Sequence, residues 1–489
     1  MRLLLRPELS PAVQNSFQTL YGALLLLVLV HQFLPNWRRF FLSDRWGGYA
    51  HSGPLVNLLH RPSVLPLLGA VWALCGGALL CSWHPVLAAL INLILCHHFF
   101  VTLRWRSLLR GFGAPGFMTY WLGIAVFLLA LTRWSAPALQ PLAVLFLQVD
   151  IALILFSSAC YKLRSGYASG EGMDYGLVNP MWGYWPNVFR KLPERRVVFA
   201  LLNQAAWVSQ LVGAVLMLVP ETRWLGGALE IATYLFILTQ IRLGWLAEEM
   251  MLVGLLFFTT GSPPGDWLNV HWPAPADFTT VSTVQWPSWP LILQTLLVLQ
   301  LVLVPLSHAG LFYNYYGRRR LPFPLQGILD AYAGFLGIIL WRVFSVDHLN
   351  FYVNIYHGPP GGVPRVLISE WRNPANLRFW HVGEAITVTS LFTTLKYYPS
   401  NDHLFLERIL RYARTLPCPM NHELIFDYVS ICKSHGHYED YVTCRFLVDP
   451  STGTMRREIL DPTFSPGAEH PTSPVFETAR VGSYAPKND

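Results

Sequence analysis

Leu139-Gln-Pro-Leu-Ala-Val-Leu-Phe-Leu-Gln-Val-Asp-Ile-Ala-Leu-Ile-Leu-Phe-Ser-Ser-Ala-Cys-Tyr-Lys-Leu163 is the stretch on which the fold turns. Its 25 residues carry one acid, Asp150, and one base, Lys162, which falls in the last turn. At 1.5 Å per residue such a helix is about 37 Å long, enough to cross a hydrocarbon layer of about 30 Å. Comparable apolar runs cover residues 17–34, 64–80, 85–103, 117–131, 197–219, 225–246, 250–260, 290–306 and 328–343. Together they predict roughly ten spans. The run 250–260 is the shortest and follows Glu248 and Glu249, so it is expected to be re-entrant or joined to the run before it. The first run reads as a retained helix and not a signal peptide, because Pro35, Asn36, Trp37, Arg38 and Arg39 follow it where a small-residue cleavage site would stand.

Composition agrees. Of 489 residues, 53% are hydrophobic and only 13% charged, against about 25% charged in an ordinary soluble domain. The formal charge of +7 is uneven: 13 Lys and Arg against 15 Asp and Glu follow Ser345, which leaves +9 on the part before it. Basic residues at helix ends attract anionic lipid, and nothing points to nucleic acid. The expected architecture is a polytopic α-helical membrane bundle of about nine or ten helices over residues 1–345. A small extramembrane α+β domain at 346–461 and a Pro/Ser-rich disordered tail at 462–489 complete it. The expected location is the cell membrane, with multiple passes and the bilayer as first partner.

Orientation is read from Lys and Arg in short loops. Arg38, Arg39, Arg45 and Arg61, then Arg104, Arg106 and Arg110, then Arg164, Arg190, Lys191, Arg195 and Arg196, then Arg318, Arg319 and Arg320 collect on one side. That side is expected to be cytoplasmic. Residues 261–289 hold no Lys or Arg and belong opposite. Counting crossings onward puts the C-terminal domain on the non-cytoplasmic side as well, a result that depends on the count being even.

In the C-terminal part, strands are expected near 351–356, 366–371, 424–430 and 441–448. An amphipathic helix is expected at 402–416, and a turn at Asp449-Pro-Ser-Thr-Gly. Cys418, Cys432 and Cys444 could supply at most one internal disulfide. His435 and His437, near Cys432 and Cys444, resemble a ligand set, but alternation along a strand puts both histidines on one face for packing alone, so no metal site is assigned.

Ionisable side chains inside spans are costly and tend to mark a pathway or site. Asp150, Lys162, Glu230, Asp330, His97 and His98 are the candidates, with Asn92, Asn203, Gln204, Gln210 and Gln240 as uncharged polar residues. Each could equally serve as an interhelical hydrogen bond worth about 1 kcal/mol. Asp150 and Lys162 are twelve residues apart, about 18 Å along one helix, too far to pair. His97 and His98 are adjacent and diverge around the helix, so they cannot chelate one ion together. No phosphate-loop, dinucleotide, nucleophile-elbow or His-Glu-x-x-His pattern occurs.

The segment Phe156-Ser-Ser-Ala-Cys-Tyr-Lys-Leu-Arg-Ser-Gly-Tyr-Ala-Ser-Gly170 ends an apolar helix in Lys-Leu, three residues, an aromatic, two residues and Gly. In this it resembles the vitamin K-dependent gamma-carboxylases and their bacterial relatives, the HTTM (horizontally transferred transmembrane) proteins, with Lys162, Leu163, Tyr167 and Gly170 at the motif positions. The first helix with its aromatic-basic loop, and the plan of helices followed by a β-containing domain, are similar too. The resemblance implies a membrane-embedded enzyme that uses a reduced naphthoquinone, vitamin K-like, and oxygen. Lys162 would be the general base that deprotonates the quinol before its conversion to an epoxide. An ammonium stripped of water gives way to the neutral amine, which can accept a proton. Asp150, Glu230, His97 and His98 are the candidates for proton relay or for lining the cavity. Two departures stand out: Tyr167 replaces the family's usual Trp, and residues 110–119 lack the His of the carboxylases.

A different class of function is a non-enzymatic membrane scaffold or export/immunity component whose outer domain binds a peptide or protein. A transporter lined by Glu230 and Asp330 is a third, but no paired, broken helices in matching halves support it.

Overall fold

The computed structural model describes residues 7–103, 113–275, 278, 289–317, 319–338, 346–361, 365–368, 371, 382–398 and 401–461. The tail expected at 462–489, and Arg104, Arg106, Arg110 and Arg318, lie outside the described residues.

Helix α1 (Pro11–Val28) starts where the Ser10 hydroxyl accepts the Val13 N–H, the usual N-cap device. It continues through π-helical turns at Leu29–Phe33 and Trp37–Phe41. There follow α2 (Leu65–Leu80), α3 (Pro85–Cys96), α4 (Gly113–Ser135), α5 (Gln140–Arg164), α6 (Val197–Leu218), α7 (Arg223–Gln240), α8 (Leu246–Gly254), α9 (Trp289–Gly317) and α10 (Phe323–Leu336). Among the described residues, six helices are long and apolar enough to cross a membrane: Pro11–Phe41, Pro85–Thr102, Gly113–Ser135, Pro137–Arg164, Val197–Leu218 and Trp289–Gly317. Their outer faces carry bare apolar side chains, such as Leu201 at 63% and Leu291 at 68% exposure, which suits lipid and not water.

Small residues let the helices approach. A Cβ on Gly227 of α7 would lie 2.6 Å from the Gly254 carbonyl oxygen of α8, so the two backbones touch without intervening side chains. The run expected at 250–260 is the nine-residue α8 with a 3-10 turn at Leu255–Phe257. It packs beside α7 from the Glu249 level, where Thr119 of α4 bonds to Glu249, down to Leu256, whose carbonyl accepts from Gln148 of α5 at 2.8 Å. Beyond it, the Thr260 N–H reaches the Glu8 carbonyl oxygen at 2.8 Å, at the N-terminal end of α1.

The run expected at 328–343 behaves differently. Helix α10 has only 14 residues. It leaves the end of the bundle where α9 finishes, bonds across to α9 through Asn314–Gln326 at 3.0 Å, and delivers Gly337 against Val101 and Tyr120. Residues 339–345, which follow, lie outside the described residues.

The remainder is an antiparallel five-stranded sheet of order β2-β1-β3-β4-β5: β1 (Phe351–Gly358), β2 (Val366–Leu367), β3 (Glu423–Ser434), β4 (His437–Asp449) and β5 (Thr454–Ile459). Helices α11 (Val382–Tyr397) and α12 (Asp402–Ala413) belong to this part, and Phe392 and Phe405 stack against Phe446. His435 and Gly436 have φ of 51° and 81°, so they form the tight turn between β3 and β4. The reading that set His435 and His437 on one strand face is thereby corrected. All seven cysteines are thiols.

The sheet unit docks on the Arg-rich end of the bundle. Arg39 meets Glu384 at 3.1 Å, Arg190 meets Asp440 at 2.5 Å, and Lys433 meets Asp174 at 3.1 Å. The Glu194 N–H reaches the Gly436 carbonyl at 2.7 Å. Buried Arg242 donates to the carbonyls of Pro180 and Trp371. Apolar packing runs unbroken from the helices into the sheet. The sheet unit and Arg39, Arg190 and Arg242 thus lie at one end of the described helices.

Candidate functional site

Lys162 closes the last turn of α5. The Ser165 N–H caps the Lys162 carbonyl at 3.1 Å, and Gly166 with φ 105° turns the chain away. The side chain does not stretch out to solvent but folds inward and is 3% exposed. Its Nζ donates to Gln210 Oε1 of α6 at 2.7 Å and to the Ala206 carbonyl at 3.4 Å. The same Gln210 oxygen accepts from Ser158 at 2.9 Å. The Tyr167 ring centroid lies 5.8 Å from Nζ, within cation–π reach.

Glu230 of α7 joins this cluster. It is fully buried, acts electrostatically on Lys162, and neither carboxylate oxygen has a hydrogen-bond partner among the described residues. Tyr234, one turn along α7, shares Gln210. Three helices thus bring a base, an amide, an acid and a phenol together out of contact with water. Such a set can take up, hold and pass a proton, because the low-dielectric surroundings sharpen every charge change.

The motif divides between inside and outside. Tyr167 is buried against Lys162, whereas Leu163 is 37% exposed and faces outward. Gly170 turns with φ 93°, and its carbonyl accepts from Asn203 of α6 at 2.8 Å. Gly172 has φ 156°, and a Cβ there would lie 2.3 Å from the Tyr167 ring. Only glycine leaves room for Tyr167 over the amine.

Other candidates sit elsewhere. Asp150 accepts the Trp121 indole N–H at 2.8 Å and lies 3.8 Å from His308. His97 Nε2 is 2.7 Å from the Phe335 carbonyl oxygen, and His98 Nε2 is 2.8 Å from His60 Nε2. The two adjacent histidines do diverge. Asp330 accepts from Gln326 on an exposed face. Of the proton-relay candidates, Glu230 is the one within electrostatic reach of Lys162, without an ion pair to it among the described residues.

Sequence reasoning passed over Asp174, which is fully buried next to this motif. Its Oδ1 accepts from the Gly172 N–H at 2.6 Å and Asn203 at 3.4 Å, and its Oδ2 from Tyr438 at 2.6 Å and Lys433 at 3.1 Å. Burial, and then the Asp174 charge, hold the Tyr438 phenol well above its ordinary value, so it stays a donor. An Asp in a Gly- and Tyr-rich loop between spans reads as solvated, and no local signal announces its partners in β3 and β4.

Among the described residues, no group of three or more His, Cys, Asp or Glu could hold a metal ion. Comparison with known proteins gives no matching family model, no matching curated protein and no matching solved structure.

Proposed function

We propose that this chain is a multi-pass enzyme of the cell membrane, gamma-carboxylase-like, in which Lys162 acts as general base on a lipid-soluble reduced naphthoquinone. The observation that carries the reading is the inward turn of Lys162 onto Gln210, beside a Glu230 carboxylate that has no hydrogen-bond partner among the described residues. A lysine that merely ended a span would reach for the interface. The residues fit the cofactor class, because unpaired carboxylate oxygens and an amine are acceptors for a hydroxyl proton within an apolar wall. A bound reduced naphthoquinone would supply that acidic hydroxyl and the electrons that oxygen takes. Lys162, as neutral amine, accepts the proton; Gln210 orients Nζ; Glu230 balances the ammonium so formed. Tyr167 shields it from the aqueous end.

Purified protein incubated with a reduced naphthoquinone and oxygen tests this. Epoxide from the native protein and none from Lys162→Ala is expected. Equal product from both, or none from either, rejects the reading and favours the scaffold alternative, in which the bundle only anchors the sheet unit.

The topology belongs to the same proposal: about nine crossings, a returning α10, and the sheet unit on the side of the basic loops, which is cytoplasmic by the positive-inside rule. Cys81 is exposed at the opposite end, in the α2–α3 turn, and Met420 of the sheet unit is 95% exposed. In intact cells an impermeant maleimide should label Cys81 and spare Met420→Cys until the membrane is opened. The reverse pattern overturns the orientation.

A further inference from the structure

Between α1 and α2 the chain makes a tight, well-bonded loop with a pocket on its outer side. The Ser43 and Ala50 strands bridge, the Ala50 N–H reaching Leu42 O at 3.0 Å and the Asp44 N–H reaching Ala50 O at 2.7 Å. Val56 and His60 are buried beneath, with His60 Nδ1 2.5 Å from the Phe41 carbonyl oxygen. On this base a pocket of about 650 Å³ is lined by Arg45, Trp46, Ser52, Asn57, Leu58 and Arg61 among others.

Its charge is one-sided. Asp44 is the sole acid between residues 42 and 61; it does not line the pocket and is engaged by Ser52, which does, and by Arg411 of α12 at 3.9 Å. Arg45 and Arg61 are exposed and, among the described residues, form no ion pair. The Asn57 carbonyl oxygen is taken by Ser43, which leaves its amide N–H groups to donate. Two guanidinium forks and an amide with no acceptor suit a phosphate oxygen set.

The rim is apolar. Leu55 is 49% exposed, Leu58 51% and Trp46 40%. Exposed leucines beside an arginine pair are unfavourable in water and natural where acyl chains meet headgroups, and tryptophan favours that same level. Arg45 also stacks on Trp46, 5.4 Å from ring centroid.

We propose that this pocket binds the phosphate headgroup of an anionic phospholipid, with its chains against Leu55 and Leu58. The inference rests on the membrane reading above but not on any role for Lys162. Asp44–Arg411 and the Tyr49–Tyr412 ring contact tie the same loop to α12, so the lipid sits beside the seam that holds the sheet unit to the bundle.

The test places the full chain in phosphatidylcholine nanodiscs with a minority of phosphatidylglycerol and counts lipids retained on release, by native mass spectrometry. The native protein should retain phosphatidylglycerol in preference to phosphatidylcholine. Arg45→Ala/Arg61→Ala should lose that preference by roughly thirtyfold, the factor for two basic residues at a lipid surface, while Arg45→Lys/Arg61→Lys keeps part of it. No preference in the native protein, equal preference in the alanine pair, or release of the lipid by millimolar inorganic phosphate would each overturn the proposal, the last by revealing a site for a free anion. Protein that never enters the discs would instead count against the membrane reading, so the two failures are distinct.

Discussion

Glu230 and Asp174 are both fully buried carboxylates near the Arg-rich end of the bundle, and they differ in what surrounds their oxygens. Asp174 accepts from a backbone N–H, an amide, a phenol and an ammonium. Glu230 has Lys162 within electrostatic reach and, among the described residues, no hydrogen bond. A buried carboxylate with every lone pair answered fixes two parts of a fold together. One left unanswered costs stability and persists where chemistry uses it. The seam between bundle and sheet is built the first way, and the Lys162 cluster the second.

Removal of Asp174 offers the strongest chance to break this contrast. Asp174→Ala leaves the Gly172 N–H and the Tyr438 hydroxyl without their acceptor and Lys433 with only Glu171 at 3.8 Å as a counter-charge, and should cost about 3 kcal/mol. Thermal unfolding in detergent reads the loss, and protease cleavage near the β3–β4 turn should rise with it. Unchanged unfolding would mean that the seam is held by apolar packing alone. Next in size is Lys162→Met, which removes the Lys162 bond to Gln210 and leaves the buried Glu230 without the amine beside it, and should cost about 2 kcal/mol. A cost equal to that of Asp174→Ala or larger would blur the distinction between the two clusters.

Tyr438→Phe removes one hydrogen bond to a charged group and should cost about 1.5 kcal/mol, with Lys433 still in place. The smallest effect expected is one of pH. Burial holds the His60 imidazole below its ordinary value, although its bond to the Phe41 carbonyl opposes this. The unfolded chain therefore takes up the proton first as pH falls. Stability from this residue is fully present above about 6.5 and is lost as pH drops toward the folded value. Unfolding midpoints at pH 7.5 and 5.5 should differ more for the native protein than for His60→Gln; identical differences would remove His60 from the account.

Much of this was legible in the chain and some was not, for identifiable reasons. The long runs became helices because a bilayer-length apolar stretch has few other solutions. Hydropathy measures length in sequence and not depth, so it could not separate the short α8, which packs alongside α7, from the 14-residue α10, which ends near Gly337 against Val101 and Tyr120. Helix α11 escaped notice because Thr387, Thr389, Thr393 and Thr394 give it a β-branched composition. Lys162 stood out from its motif, and Glu230 from its cost inside a span. Their meeting across Gln210 depends on how α5, α6 and α7 pack, which no local pattern encodes.

The double variant Lys162→Met/Glu230→Gln tests the central claim most directly. It removes both ionisable groups and leaves side chains of similar volume, a change that is often neutral or stabilising for a buried pair. If the cluster is kept for chemistry, the variant should unfold at or above the native midpoint in the same detergent. A midpoint lowered as far as that of Asp174→Ala would contradict the account, because the Lys162 cluster would then be holding the fold together just as the seam does.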